Sequence, residues 1–319
     1  MSSLEGRPNH NPDRTEKWFW CIACLEAILI IIGNGTVIYL VTSQKRLRRT
    51  GNWFILSLAF ADFFVGIFII PTFFACSRLH FTCSWDVQVL FFELFLFTSI
   101  GNLCAMTLDR YIAIIHPLRY PAVMTTKRAC FAIGLAWAVP GITALAPVFW
   151  RFKDTESDAP ERVFRVFVIF AFVLVPVTVL LLVYVRIIIV VRRHSRHLAI
   201  LDAQLNFNIK RMATNNRGTT MKSSAKVMGT MILLFVTCWC LSTYRSLCAY
   251  FNLGQSTPLL DKLSRLLLFL NSAGNPMVYS LLKEDLRRSL IRTIGGIVNR
   301  CRRVKDGGKV GVIFSKTAH

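Results

Sequence analysis

The chain has 319 residues, 54% of them hydrophobic and only 17% charged, a balance that excludes an ordinary soluble domain and fits an integral membrane protein. A formal charge of +21 would suit a nucleic-acid binder if the bases shared one face. They are instead divided among four short segments that flank apolar runs, which argues against nucleic acid as a partner.

Seven apolar stretches, 18–42, 53–76, 86–114, 128–150, 163–191, 224–250 and 261–282, each reach the ~20 helical residues needed to cross a hydrocarbon core. Closed backbone hydrogen bonding in lipid makes helices of them. No stretch alternates like a barrel strand, and no internal repeat suggests a transporter built from two related halves. Residues 1–17 are polar without an apolar core, so the first crossing is expected to serve as its own insertion signal. With Met1 outside, the inner segments hold 4 Lys/Arg in 43–50, 4 in 110–128, 9 in 186–226 and 10 from 283 onward, 27 of the 38 bases. Only 5 of the 17 acids lie in these segments or at their edge: Asp109, Asp202, Glu284, Asp285 and Asp306. That asymmetry predicts an N-terminus outside.

In the first crossing, "NGT" at 34–36 matches a glycosylation sequon by chance, since it lies at membrane depth. The second crossing carries Asp62 close to mid-membrane. An isolated buried carboxylate costs many kcal/mol. Asp62 is therefore either protonated within a hydrogen-bonded network or joined to neutral oxygens around a small hard cation. Ser99 and Asn102 in the third crossing, Asn34 in the first, and Asn271, Ser272 and Asn275 in the seventh are the available partners. Cys76 and Cys83 bracket "SRLHFT" at the outer end of the second crossing, either bridged across that loop or left as two thiols. The third crossing ends in "LCAMTLDRYIAIIHPLRY" (103–120), where Asp109 and Arg110 interrupt an otherwise apolar run. In the seventh, Pro276 frees backbone carbonyls that Asn275 can help satisfy, and Tyr279 follows about one turn later on the same face. Beyond Leu282, the alternation of Leu286, Leu290 and Ile291 with Arg287, Arg288 and Arg292 predicts a short amphipathic eighth helix along the inner membrane surface. Cys301, set among Arg300, Arg302 and Arg303, is a palmitoylation candidate.

Taken together these motifs resemble the rhodopsin-type (class A) G-protein-coupled receptors over about 18–292. The resemblance rests on "GN" at 33–34, "LSLAFAD" ending at Asp62, Pro71, "DRY" at 109–111, "HPLRY" at 116–120, Trp137 with Pro140, and Pro176 with Tyr184. Phe235 with "CW" at 238–239 and "NPMVY" at 275–279 complete it. It implies an all-α membrane protein: a seven-helix bundle with a short eighth helix over 18–292, an extracellular tail 1–17 and a cytoplasmic tail 293–319. It also implies a non-enzymatic cell-surface receptor of the plasma membrane. Its partners would be an extracellular ligand, membrane lipids and a heterotrimeric G protein, with arrestin and receptor kinases after it. The switch residues implied are Asp109, Arg110, Tyr111, Tyr184, Asn275, Pro276 and Tyr279, with Arg110 released to the G protein when the sixth helix swings outward. Asp62, Ser99, Asn271 and Asn275 match the family's sodium pocket, so a structural sodium ion is implied and no other cofactor.

Several departures from the family pattern bear on function. The second outer loop, 149–162, has no Cys to tie it to the third helix, which leaves the entrance open to water or a peptide. Leu241 stands where a sixth-helix Pro is usual, and Met221 where many relatives place an acid that holds the third-helix Arg. Appreciable signalling without ligand is therefore expected, and a ligand-independent modulator of partner receptors is the alternative reading. Phe92 occupies the position of the amine receptors' Asp, and Phe269 that of the visual pigments' Lys, so neither ligand class is supported. The expected pocket joins Phe92, Glu93, Trp239, Tyr244, Arg265 and Phe269. Glu93 and Arg265 either pair with each other or divide the charges of a zwitterionic ligand, a peptide or lipid being the alternative. No phosphate loop, metal-spaced His/Cys cluster or nucleophile elbow supports an enzyme.

Overall fold

A computed structural model describes residues 14–78, 85–151, 159–205, 212–251 and 257–296. Its elements form seven helical rods. The first is α1 (Arg14–Ser43); the second joins α2 (Thr50–Phe64) to α3 (Ile70–Arg78); the third is α4 (Trp85–Ile115). A single turn, α5 (Tyr120–Val123), leads into the fourth rod, α6 (Thr126–Arg151). The fifth joins α7 (Ala159–Ile169) to α8 (Val175–Leu205), the sixth is α9 (Met212–Phe251) and the seventh α10 (Pro258–Leu282). After a break at Lys283, residues 284–296 are helical again.

The second and fifth rods each contain one widened π turn, Val65–Ile69 and Phe170–Leu174. The cause is local. Pro71 and Pro176 have no N–H to give to the carbonyls four residues back, Ile67 and Phe172, and both of those carbonyls lie inside the widened turns.

Six rods are long and apolar enough to cross a membrane: Lys17–Ser43, Thr50–Ser77, Val87–Ile115, Thr126–Pro147, Val163–His197 and Ala225–Phe251. The seventh, α10, is less apolar because it carries Asp261, Lys262, Arg265 and the polar run from Asn271 to Asn275. Its Ser264, Asn271, Ser272 and Asn275 are buried inside the bundle, so their polarity is hidden from lipid. Outer faces show the complementary pattern. On α1, Leu25, Ile28, Leu29 and Ile32 are exposed at helical spacing, while Ala23, Ala27, Ile30, Asn34, Val37 and Val41 face inward. Exposed apolar stripes of this size on several helices are a lipid-facing surface.

Packing sets α4 at the centre, against α2, α6, α8 and α9, while α1 closes the ring by touching both α2 and α10. Phe54, Leu96, Phe235, Phe269 and Tyr279 are fully buried in one continuous core. Polar pins cross that core. Trp137 Nε1 donates to Ser57 Oγ at 2.9 Å, fastening the fourth rod to the second. Asn34 Nδ2 donates to the Ser272 carbonyl at 3.1 Å, fastening the first to the seventh. Ser272 is the residue whose carbonyl Pro276 leaves without a partner. Sequence reading gave that task to Asn275. Asn34 of α1 performs it instead, because Asn275 is occupied elsewhere.

Between the fifth and sixth apolar stretches the chain stays helical well past the membrane-spanning parts: α8 continues to Leu205 and α9 begins at Met212. The run from Val175 to Leu205 has no Gly, and its only Pro is Pro176 in the first turn, so nothing stops the helix where apolar residues give way to bases.

Candidate functional site

Chemistry-bearing side chains gather at three levels of the bundle. The middle level is centred on Asp62, which is fully buried. Its Oδ1 accepts from Ser99 Oγ at 2.9 Å and Ser272 Oγ at 2.8 Å, and its Oδ2 accepts from Asn275 Nδ2 at 2.7 Å. One carboxylate thus joins the second, third and seventh rods. Ser272 is one of the three seventh-crossing residues expected as partners of Asp62. Asn271 is buried but is not among the Asp62 partners, because adjacent helix positions point about 100° apart. Asn102, one turn from Ser99, keeps a buried Oδ1 without a hydrogen-bond partner among the described residues. A carboxylate, two hydroxyl oxygens and a spare amide oxygen form the hard, all-oxygen donor set that a small cation takes. Among the described residues no Lys or Arg forms an ion pair with Asp62.

The second level is the end of the bundle where the third rod terminates. Arg110 forms an ion pair with Asp109 at 2.8 Å, and Tyr120 of α5 donates its hydroxyl to Asp109 Oδ1 at 2.8 Å. Asp109 is fully buried, so both partners are needed to offset its desolvation. The Arg110 guanidinium lies against the Gly51 backbone at the start of α2, where any Cβ would occupy the same space. Lys283, at the break after α10, donates to Asn52 Oδ1, and Asn52 Nδ2 donates to the Leu47 carbonyl at 2.8 Å. Ser223 of α9 donates to the Leu282 carbonyl at 3.1 Å. A cavity of about 710 Å³ opens between these groups, lined among others by Gly51, Met106, Arg110, Tyr120, Val227 and Lys283.

Two groups there titrate away from their ordinary values. Burial, and then the neighbouring Asp109 charge, push the Tyr120 phenol up to about 12, so it stays a donor to Asp109. Burial, and then the Arg110 charge, lower the Lys283 ammonium to about 7. The structure does not bring the remaining expected switch residues onto Arg110. Tyr111 packs beside Ile114, Ile187, Ala225 and Met228. Tyr184 presses its hydroxyl against Gly229 of α9. Tyr279 is fully buried, and its hydroxyl has no hydrogen-bond partner among the described residues.

The third level, at the opposite end, is a cavity of about 390 Å³. Phe92, Glu93, Trp239, Arg265 and Phe269 all line it, as sequence reading grouped them. Tyr244 does not. It is 60% exposed on the outer face of α9, since five residues beyond Trp239 the helix has turned about 140° away from it. Glu93 and Arg265 are not paired with each other either. Glu93 forms an ion pair with Arg165 of α7, Arg245 pairs with Asp261 at 3.2 Å, and the Arg265 guanidinium sits 4.3 Å from the centre of the Phe73 ring. Neither Arg165 nor Arg245 is among the expected lining residues, although each is a base within an apolar crossing. Below these groups, Phe97 stacks on Trp239 with ring centres 6.2 Å apart and on Phe172 at 4.9 Å.

Cys76 is disulfide-bonded. Its expected partner Cys83, like Cys301, most of the 149–162 loop and the 1–13 tail, lies outside the described residues.

Residues 33–279 match the family model described as 7 transmembrane receptor (rhodopsin family). Among curated relatives, the chain is 26% identical to octopamine receptor beta-2R of Chilo suppressalis, covering 86% of this chain and 78% of that receptor. It is 30% identical to adenosine receptor A3 of Ovis aries, covering 81% and 84% of the two chains. It is 27% identical to the GQ-coupled rhodopsin of Mizuhopecten yessoensis, covering 91% of this chain and 62% of that longer protein.

Proposed function

Since this chain belongs to the rhodopsin family of seven-transmembrane receptors, we propose that it transmits occupancy of the 390 Å³ cavity to a heterotrimeric G protein at the Arg110 end. It is a non-enzymatic signalling receptor of the membrane. In the proposed orientation the N-terminus is outside, and the segments richest in Lys and Arg face the cytoplasm.

The observation that carries this reading is the state of Arg110. It is held by a buried carboxylate and folded onto Gly51, at the wall of a cavity wide enough to receive a partner. Outward movement of α9 breaks the Ser223–Leu282 contact, widens that cavity and exposes the guanidinium to the C-terminal helix of the G protein. Asp109, Tyr120 and Gly51 favour the closed arrangement. Tyr184, already against Gly229 of α9, and Tyr279, whose hydroxyl is unpartnered, are the side chains free to take new partners in the open one. Asp62, with Ser99, Ser272 and Asn275, would hold a sodium ion that locks the middle level in the closed state. Among the described residues the ion-pair partner of Arg110 is its own neighbour Asp109, so no salt bridge ties it to α9, which supports appreciable basal signalling.

One assay tests these points: guanine-nucleotide exchange on purified G proteins, catalysed by the receptor in lipid nanodiscs without added ligand. The expected result is exchange above that of empty nanodiscs, reduced at least tenfold by Arg110→Ala and slowed by sodium relative to potassium, with Asp62→Asn removing the sodium effect. Exchange no faster than from empty nanodiscs with every G-protein class tried removes the basal-activity reading. Unchanged exchange in Arg110→Ala overturns the proposed coupling.

A further inference from the structure

The charges around the 390 Å³ cavity do not cancel. Among the described residues, Glu93 is paired with Arg165 and Arg245 with Asp261, which leaves Arg265 as the lining charge without a carboxylate in ion-pair contact. Its guanidinium sits over the face of Phe73, a weak substitute for a counter-ion, and it feels the charge of Asp261 without forming an ion pair with it. The unsatisfied hydrogen-bonding groups mostly agree in sense. Among the described residues, Trp239 Nε1 and Arg245 Nε are buried donors without hydrogen-bond partners, set against one such acceptor in the lining, Glu93 Oε2. The rest of the lining is apolar and aromatic: Phe92, Leu96, Phe97, Val168 and Phe269. A volume of about 390 Å³ suits a small molecule.

Resting on the receptor reading above, we propose that this cavity binds a small organic anion: a carboxylate or similar group on Arg265, joined to an aromatic or apolar body packed against Phe92, Phe97 and Trp239. A cation is disfavoured because, among the described residues, the one lining carboxylate, Glu93, is already paired, and an ammonium would meet Arg265 and Arg245. Glu93 Oε2 accepts a hydrogen bond from a hydroxyl or amide on the same ligand.

The test compares matched acids and amines of one shape: indole-3-acetate with tryptamine, 2-naphthoate with 2-naphthylmethylamine, and octanoate with octylamine. Each is added to the full-length receptor in phosphatidylcholine nanodiscs, and the thermal unfolding midpoint is followed against concentration. At least one acid is expected to raise the midpoint saturably while its amine does not. Arg265→Gln weakens that acid by roughly 10- to 100-fold, the usual worth of a hydrogen bond to a charged group. Arg265→Lys retains most of the affinity, and Tyr244→Phe, on the outer face, leaves it unchanged. Equal shifts from acid and amine in every pair, or no shift from any acid, overturn the proposal without needing a variant. An equal loss in Arg265→Gln and Arg265→Lys would make the residue a packing element and overturn the charge assignment. A receptor that catalyses nucleotide exchange but prefers the amines loses the anion assignment alone. One that binds the acid but never drives exchange keeps the site and loses the coupling.

Discussion

Asp109 illustrates how one buried carboxylate can hold a charged neighbour in reserve. It lies inside the bundle with Arg110 and Tyr120 as partners, and removing either leaves a charge in a poorly solvated place. The pair was readable from sequence because two charges interrupt an apolar run. Tyr120 was visible in "HPLRY" but not as the Asp109 partner, because that contact depends on how α5 folds back. Lys283 gives this level a measurable pH response. Its proton leaves near pH 7 in the folded receptor and near the ordinary lysine value of about 10.4 in the unfolded chain. Between those values the unfolded chain binds the extra proton, so stability rises with pH across that window. Nuclear magnetic resonance of lysine-labelled receptor should show one side-chain signal titrating near neutral pH and missing from Lys283→Met. Every lysine titrating near its ordinary value would rule the assignment out.

At the scale of elements, prolines decide where helices need outside help. Pro71 and Pro176 are accommodated within their own rods by a widened turn, whereas Pro276 borrows a donor from another helix. Asn34→Ala therefore leaves the Ser272 carbonyl buried and unpaired, at a cost of about 1–3 kcal/mol. Thermal unfolding in nanodiscs checks this against Thr36→Ala, whose hydroxyl bonds only to its own helix on an exposed face. Equal losses in the two variants would show that the link between α1 and α10 contributes nothing beyond a local bond. The number of rods and their apolar portions were legible because apolar length reports membrane span directly, whereas the polar extensions of α8 and α9 were not. Which neighbour satisfies a broken turn was not, since that depends on rod order around the ring. The same limit explains Tyr244, expected in the aromatic lining with Trp239 and turned out of it by the helical twist. Glu93 lines the cavity as expected, but its ion-pair partner Arg165 sits on another rod and was not legible.

For the whole molecule, three levels of polar groups are stacked through one apolar bundle. The upper cavity reaches Trp239 and Phe97, the Asp62 cluster joins three rods below it, and the Arg110 cavity lies at the far end. Trp239 and Ser223 both belong to α9, so a ligand that displaces the Trp239–Phe97 stack acts on the rod that also closes the Arg110 end. Coupling needs the two arrangements of α9 to differ by only a few kcal/mol, so that ligand and G protein can each bias the balance. Distance measurement by pulsed electron spin resonance tests this most directly, with nitroxides placed by amber suppression at the exposed positions His116 and Lys226. Addition of nucleotide-free G protein should move the main population to a longer separation, and Arg110→Ala should abolish the shift. A single distance, unchanged by the G protein at saturating concentration, would contradict a switch based on movement of the sixth rod.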